Sequence, residues 1–255
     1  MTYFDATILG FVEGITEFLP ISSTGHLILA STLLGLSQSD FLKSFEIVIQ
    51  LGAILAVVVL YFKRFLEIRT LLKLFVGFLP TGVIGLALYH VVKTYLEGNV
   101  AVVLWALLLG GVALVAFEYL HTEGSQEGIE SLTYTQCLVI GLFQSVAIIP
   151  GVSRSAATIV GGLALGIKRA TIVEFSFLLA VPTMIAASGL DLVKNANSFG
   201  SGDIAALAIG FIVSFFVALA SIRWLLSIVR RHTFVPFGVY RILVAVAFWL
   251  LVIGA

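Results

Sequence analysis

Apolar runs long enough to cross a bilayer dominate this chain, and the way two of them are interrupted sets its plan. A helix needs about 20 apolar residues to span the hydrocarbon core. Six segments meet that length, at roughly 45–62, 74–93, 100–120, 171–191, 203–223 and 236–254. Two further stretches, 6–35 and 134–166, are apolar but broken midway by "LPISSTG" and "IPGVSRS". Proline and glycine end one helix there, and the serines that follow cap another. Each stretch therefore predicts a re-entrant hairpin of two half-helices. Irregular backbone at that depth survives only if buried in protein or lining a wet cavity. The expected fold is an all-α integral membrane protein with six transmembrane helices and two re-entrant helical hairpins.

The interrupted stretches also match each other. "EFLPISSTGHLI" and "AIIPGVSRSAATI" align Pro20 with Pro150 and Ser23 with Ser153, and Phe45 then falls in register with Phe175. This predicts one membrane domain over 1–255, duplicated over about 1–120 and 134–255. Charge sets the orientation. Lys63, Arg64, Arg69 and Lys73, then Lys168 and Arg169, then Arg230 and Arg231 mark three cationic loops, cytoplasmic by the positive-inside rule. The opposite loops hold only Lys43, Lys93 and Lys194. Both termini then lie outside, and the hairpins enter from opposite faces, as in an inverted repeat whose broken helices meet at a shared site. Loop 121–131 is acidic although assigned inside, and acidic residues carry little topogenic weight.

Composition agrees with a lipid-solvated chain. Of 255 residues, 60% are hydrophobic and 11% charged, with a mean hydropathy of +1.14. A soluble domain would carry about 25% charged residues. Zero formal net charge argues against a nucleic-acid partner. The single cysteine, Cys137, forms no metal or redox motif. Asp5, Glu13 and Glu17 interrupt any apolar core of a signal peptide, so cleavage is not expected.

Against this background the polar residues stand out. Glu13 and Glu17 are four apart and share one helix face. Each carboxylate near the bilayer centre costs about 2.5–3.5 kcal/mol. They read either as ligands of a divalent cation, Mg²⁺ or Ca²⁺, or as a hydrated pair at the membrane surface. Ser23 and His26 occupy adjacent turns of a helix that starts after Pro20. That spacing suits a nucleophile with its base, although Ser22, Ser23 and Thr24 would also serve as plain caps. In "PGVSRSAAT", Arg154 sits in the first turn of a new helix and opposes the helix dipole. A phosphate bound at that terminus would make sense of it, because Arg grips phosphate oxygens in pairs.

These motifs resemble those of the undecaprenyl-diphosphate phosphatases linked to bacitracin resistance. The family's first motif is matched by Glu13, Glu17, Pro20, Ser22, Ser23, Thr24, Gly25 and His26, and its second by Pro150, Gly151, Ser153, Arg154, Ser155 and Thr158. The resemblance implies a multi-pass enzyme of the bacterial inner membrane with its active site towards the periplasm. It would hydrolyse undecaprenyl diphosphate to the monophosphate and phosphate, recycling the carrier for peptidoglycan and other envelope glycans. Glu13 and Glu17 would hold the metal, and Arg154 the diphosphate. Ser22, Thr24, Ser153, Ser155 and Thr158 would surround the substrate. Ser23 or His26 would attack or transfer the proton. A lipid transporter built on the same repeat is the rival reading, and an intramembrane serine protease a more distant one. The role of Arg241 and the oligomeric state, a homodimer included, stay open.

Overall fold

In a computed structural model, residues 1–37, 39–96, 98–194 and 204–250 are described. They form ten α-helices: α1 Tyr3–Thr16, α2 Ser23–Leu33, α3 Asp40–Leu60, α4 Ile68–Val91, α5 Val100–Leu120, α6 Tyr134–Ser145, α7 Arg154–Ala164, α8 Arg169–Lys194, α9 Ile204–Val229 and α10 Val235–Phe248. Five of these, α3, α4, α5, α8 and α9, are long and apolar enough to cross a membrane. The chain is a multi-pass membrane protein. The last predicted span appears as the 14-residue α10. Residues 251–254 of that span, and 203 of the one before it, lie outside the described residues. Both interrupted stretches are helical hairpins, α1–α2 and α6–α7, as their proline and serine content predicts.

Helix α1 lies against α9 and α6 against α4, α3 packs on α8, and α5 packs on α10. Lipid offers no hydrophobic drive for helices to pair, so close backbone approach through small residues must supply it. A Cβ on Gly10 would sit 2.6 Å from the Gly210 carbonyl, and one on Gly141 would sit 2.1 Å from that of Gly77. The α5–α10 pair repeats the device, with a Cβ on Gly111 falling 2.7 Å from the Gly238 carbonyl. Phe18, Phe45, Phe175 and Phe177 fill the interior, while Leu86, Leu109 and Phe216 face outward.

One end of the bundle gathers the charges, and it accounts for the acidic loop that the cation count left unexplained. Glu130 pairs with Arg64, Glu127 with Lys168 at 2.5 Å, and Glu123 with Arg169. Buried Glu118 bonds Arg169 at 2.7 Å and accepts from the Phe234 N–H at 3.0 Å. Lys73 donates to the carbonyls of Ile129 and Glu130. The acidic 121–131 loop thus lies on the cationic end and neutralises it. Hairpin α6–α7 starts and finishes at this end. Hairpin α1–α2 runs into the opposite end of α3, so the two hairpins approach from opposite ends and meet at their tips.

Candidate active site

The two turns have nearly the same backbone. Ser22 caps α2 with φ 73° and ψ 97°, accepting from the Gly25 N–H. Ser153 caps α7 with φ 77° and ψ 113°, accepting from the Ala156 N–H. They are the two positive-φ residues other than glycine among the described residues. A serine held there is strained, as backbone at functional sites often is. This equivalence corrects the alignment drawn from sequence: Ser153 corresponds to Ser22 rather than to Ser23, and the proline of turn two stands one position further ahead of its serine. Ser23 and Arg154 then occupy the same position, the first residue of each half-helix. Both helix N-termini offer free N–H groups, a ready anion site.

At the tips the two turns are tied together. Arg154 Nη2 donates to Glu17 Oε1 at 3.3 Å, with 12% and 3% of the two side chains exposed. Ser23 Oγ donates to the other oxygen, Glu17 Oε2, at 2.5 Å. Ser155 donates to the Phe18 carbonyl at 2.9 Å, joining α7 to the end of hairpin one. Arg154 Nη1 also donates to the Ser176 carbonyl, and Thr158 meets the Ser176 hydroxyl at 2.6 Å. One carboxylate therefore bridges a hydroxyl from turn one and a guanidinium from turn two. A cavity of about 480 Å³ opens on this cluster. Glu17, Ser22, Ser23, Thr24, Ser153 and Arg154 line its polar end, and Phe78, Leu86, Ile148 and Met184 line apolar wall.

Residues 6–247 match the family described as Bacitracin resistance protein BacA. The chain belongs to that family. Among similar proteins, one from Sulfurihydrogenibium sp. (strain YO3AOP1) is 49% identical over 252 residues, covering 98% of this chain and 99% of the relative. One from Wolinella succinogenes is 50% identical over 252 residues, covering 97% of each. One from Aquifex aeolicus is 49% identical over 250 residues, covering 97% and 98%. All three are named undecaprenyl-diphosphatase.

The expected residues fall into two groups. Glu17, Ser22, Ser23, Thr24, Ser153 and Arg154 lie at the cavity. Ser155 and Thr158 are fully buried and bonded to protein, so they brace the turn rather than line the cavity. Glu13 is fully buried one turn below Glu17, and neither of its carboxylate oxygens has a hydrogen-bond partner. His26 departs most from the expected pairing with Ser23. Its Nδ1 lies 2.7 Å from the Ser22 carbonyl, so that nitrogen carries the proton and donates. Its Nε2 then accepts from the Tyr240 hydroxyl at 2.9 Å, with the two rings stacked. Glu17, not His26, is the group bonded to Ser23. Sequence reasoning missed Tyr240, and left Arg241 without a role, because two polar residues in an apolar span form no motif. Their only signal was the cost of placing them in lipid.

Proposed function

We propose that the chain is an undecaprenyl-diphosphatase, cleaving undecaprenyl diphosphate to undecaprenyl phosphate and inorganic phosphate. The observation that carries this reading is the Ser23–Glu17–Arg154 cluster at the polar end of a cavity with an apolar wall. The relatives' names point the same way. A diphosphate on a prenyl chain needs both ends of that cavity.

Ser23 Oγ attacks the terminal phosphorus as its proton passes to Glu17, to which it is already bonded. The bridging P–O bond breaks, and undecaprenyl phosphate leaves with the proton that Glu17 had accepted, which returns Glu17 to its ionised form. Arg154 holds the equatorial oxygens of the transferring group, where charge spreads in the transition state. Water then attacks the Ser23 phosphate with Glu17 again accepting the proton, and phosphate departs as Ser23 recovers its hydrogen. His26 holds the turn through the Ser22 carbonyl, backed by Tyr240.

A divalent cation, Mg²⁺ or Ca²⁺, fits this site. Glu13 presents two buried oxygens with no partner, and a carboxylate in that state calls for a cation or a proton. Glu13 and Glu17 would hold it. Among the described residues no cluster of three or more His, Cys, Asp or Glu is arranged around a metal, so phosphate oxygens and water would complete its shell. When bound it would neutralise charge on the diphosphate.

The cationic end faces the cytoplasm of a bacterial inner membrane and hairpin one enters from the periplasm, so the reaction takes place on the periplasmic side. The matching helix order supports duplicated halves over 1–120 and 134–255 as an inverted repeat, with six spans and two re-entrant hairpins. Such an enzyme would return the lipid carrier to peptidoglycan and envelope-glycan synthesis. Phosphate release from undecaprenyl diphosphate by purified protein in detergent, with and without EDTA, tests the reading. Release that EDTA abolishes is expected. No release in detergent would favour the transporter instead.

A further inference from the structure

Arg241 is the largest fully buried side chain among the described residues. Its guanidinium donates to three main-chain carbonyls from three distant parts of the chain. Nη1 reaches Pro20 at 3.4 Å, and Nη2 reaches Ala106 at 3.0 Å and Gly151 at 3.1 Å. Pro20 lies in turn one, Gly151 in turn two, and Ala106 on α5. None of these acceptors is a carboxylate. A cation buried in lipid-embedded protein without a counter-charge is costly to keep. Its room is made by Gly110, where a Cβ would fall 2.2 Å from Nη2.

Both turns leave the helical ladder, so their carbonyls need donors from elsewhere. A planar guanidinium holds five N–H groups in a rigid fork and fixes its acceptors at set angles, whereas the three N–H groups of an ammonium rotate on a flexible stem. We propose that Arg241 is a positioning residue for the phosphatase reaction. It clasps both turns by their carbonyls and sets Ser23 and Arg154 opposite one another across Glu17. The same turn of α10 supplies Tyr240 to His26, so one helix steadies both hairpins. The charge also lies behind two helix N-termini and adds to the field that favours an anion there.

The kinetic arm of the test rests on the proposed activity, and the exchange arm does not. Amide hydrogen exchange is followed in full-length protein in detergent, comparing Arg241→Met and Arg241→Lys with wild type. Peptides covering 17–26 and 149–157 should both exchange faster in each variant, while α3 keeps its protection. In prenyl-diphosphate hydrolysis, kcat should fall at least about tenfold, with KM changing less than about threefold. In an Arg154→Ala background, the further loss from Arg241→Met should shrink below about threefold, because the two residues act through one alignment. Unchanged exchange in both turns, or losses that multiply in the double variant, would overturn the proposal. If Arg241→Met fails to fold, Gly110→Ala displaces the guanidinium without removing its charge. It should give the same two-turn pattern at smaller size, and exchange unaltered in that variant would overturn the proposal equally. If wild-type protein releases no phosphate, the proposed activity falls, and the exchange result alone decides the clasp.

Discussion

Turn one and turn two are built alike and equipped differently. Each ends a short half-helix, passes through a positive-φ serine and opens a new helix of 11 residues. Counting from those serines, Ser23 corresponds to Arg154, Glu13 to Gln144, Glu17 to Ile148 and His26 to Ala157. The carboxylates and the hydroxyl sit on one side, and the guanidinium on the other. A charge set that would repel itself within one hairpin becomes complementary when two hairpins meet. The shared backbone supplies two anion-attracting helix ends, and the side chains divide the chemistry between them.

The largest expected effect tests that division at Arg154. Arg154→Ala should lower kcat at least about 100-fold, as removal of one preorganised donor to transition-state charge does. Arg154→Lys should be nearly as poor, because it keeps the charge and loses the fork. A lysine variant close to wild type would make Arg154 a point charge and remove the need for the turn geometry.

Next comes the carboxylate that turn two lacks. Glu13→Gln makes the first half-helix resemble the second at this position. It should insert and fold normally, since charge is removed from the membrane, yet lose most activity and the response of the remainder to EDTA. Wild-type activity with wild-type EDTA sensitivity in Glu13→Gln would take the metal away from this residue.

The caps should respond symmetrically and mildly. Ser22→Gly and Ser153→Gly relieve the positive φ while losing a cap, and glycine in place of a serine cap costs only a few tenths of a kcal/mol. Both variants should unfold within a few degrees of wild type. A strong loss at one turn alone would break the equivalence of the two.

The smallest effect lies at the charged end. The Glu127 carboxyl is held below its usual range by its hydrogen bond to Lys168, and Glu130 by its own backbone N–H and then Arg64. Groups lowered on folding stabilise fully above the unfolded value of about 4.3 and lose that contribution as pH falls through the folded values. Glu127→Gln and Glu130→Gln should therefore unfold slightly below wild type at neutral pH and match it at strongly acid pH. A difference that persists in acid would mean the loop is held by something other than these pairs.

The contrast between the turns also marks what the sequence could reveal. Pro20, Pro150 and the serines after them announce both broken helices, because proline lacks the N–H a helix needs and serine replaces it at a cap. Aligning on proline put the second turn one residue out of register, since only the positive-φ backbone shows which serine is the cap. The pairing of Glu17 with Ser23 and Arg154 needed the fold: the partners are 137 positions apart in one case. For the same reason His26 looked like a base for Ser23 on spacing alone. Its ring is turned towards Tyr240, which no local pattern could disclose.

Attack by Ser23, with Glu17 as its base and Arg154 holding the phosphoryl group, leaves its mark in the first turnover. Enzyme and undecaprenyl diphosphate are mixed, quenched in acid within one turnover, and analysed for both products and for peptide phosphorylation. Undecaprenyl phosphate should appear ahead of inorganic phosphate, with the missing phosphoryl group on Ser23, and both signals should be lost in Ser23→Ala. The two products rising together with Ser23 unmodified, or a Ser23→Ala variant keeping more than about a tenth of the rate, a barrier change under about 1.4 kcal/mol, would contradict it.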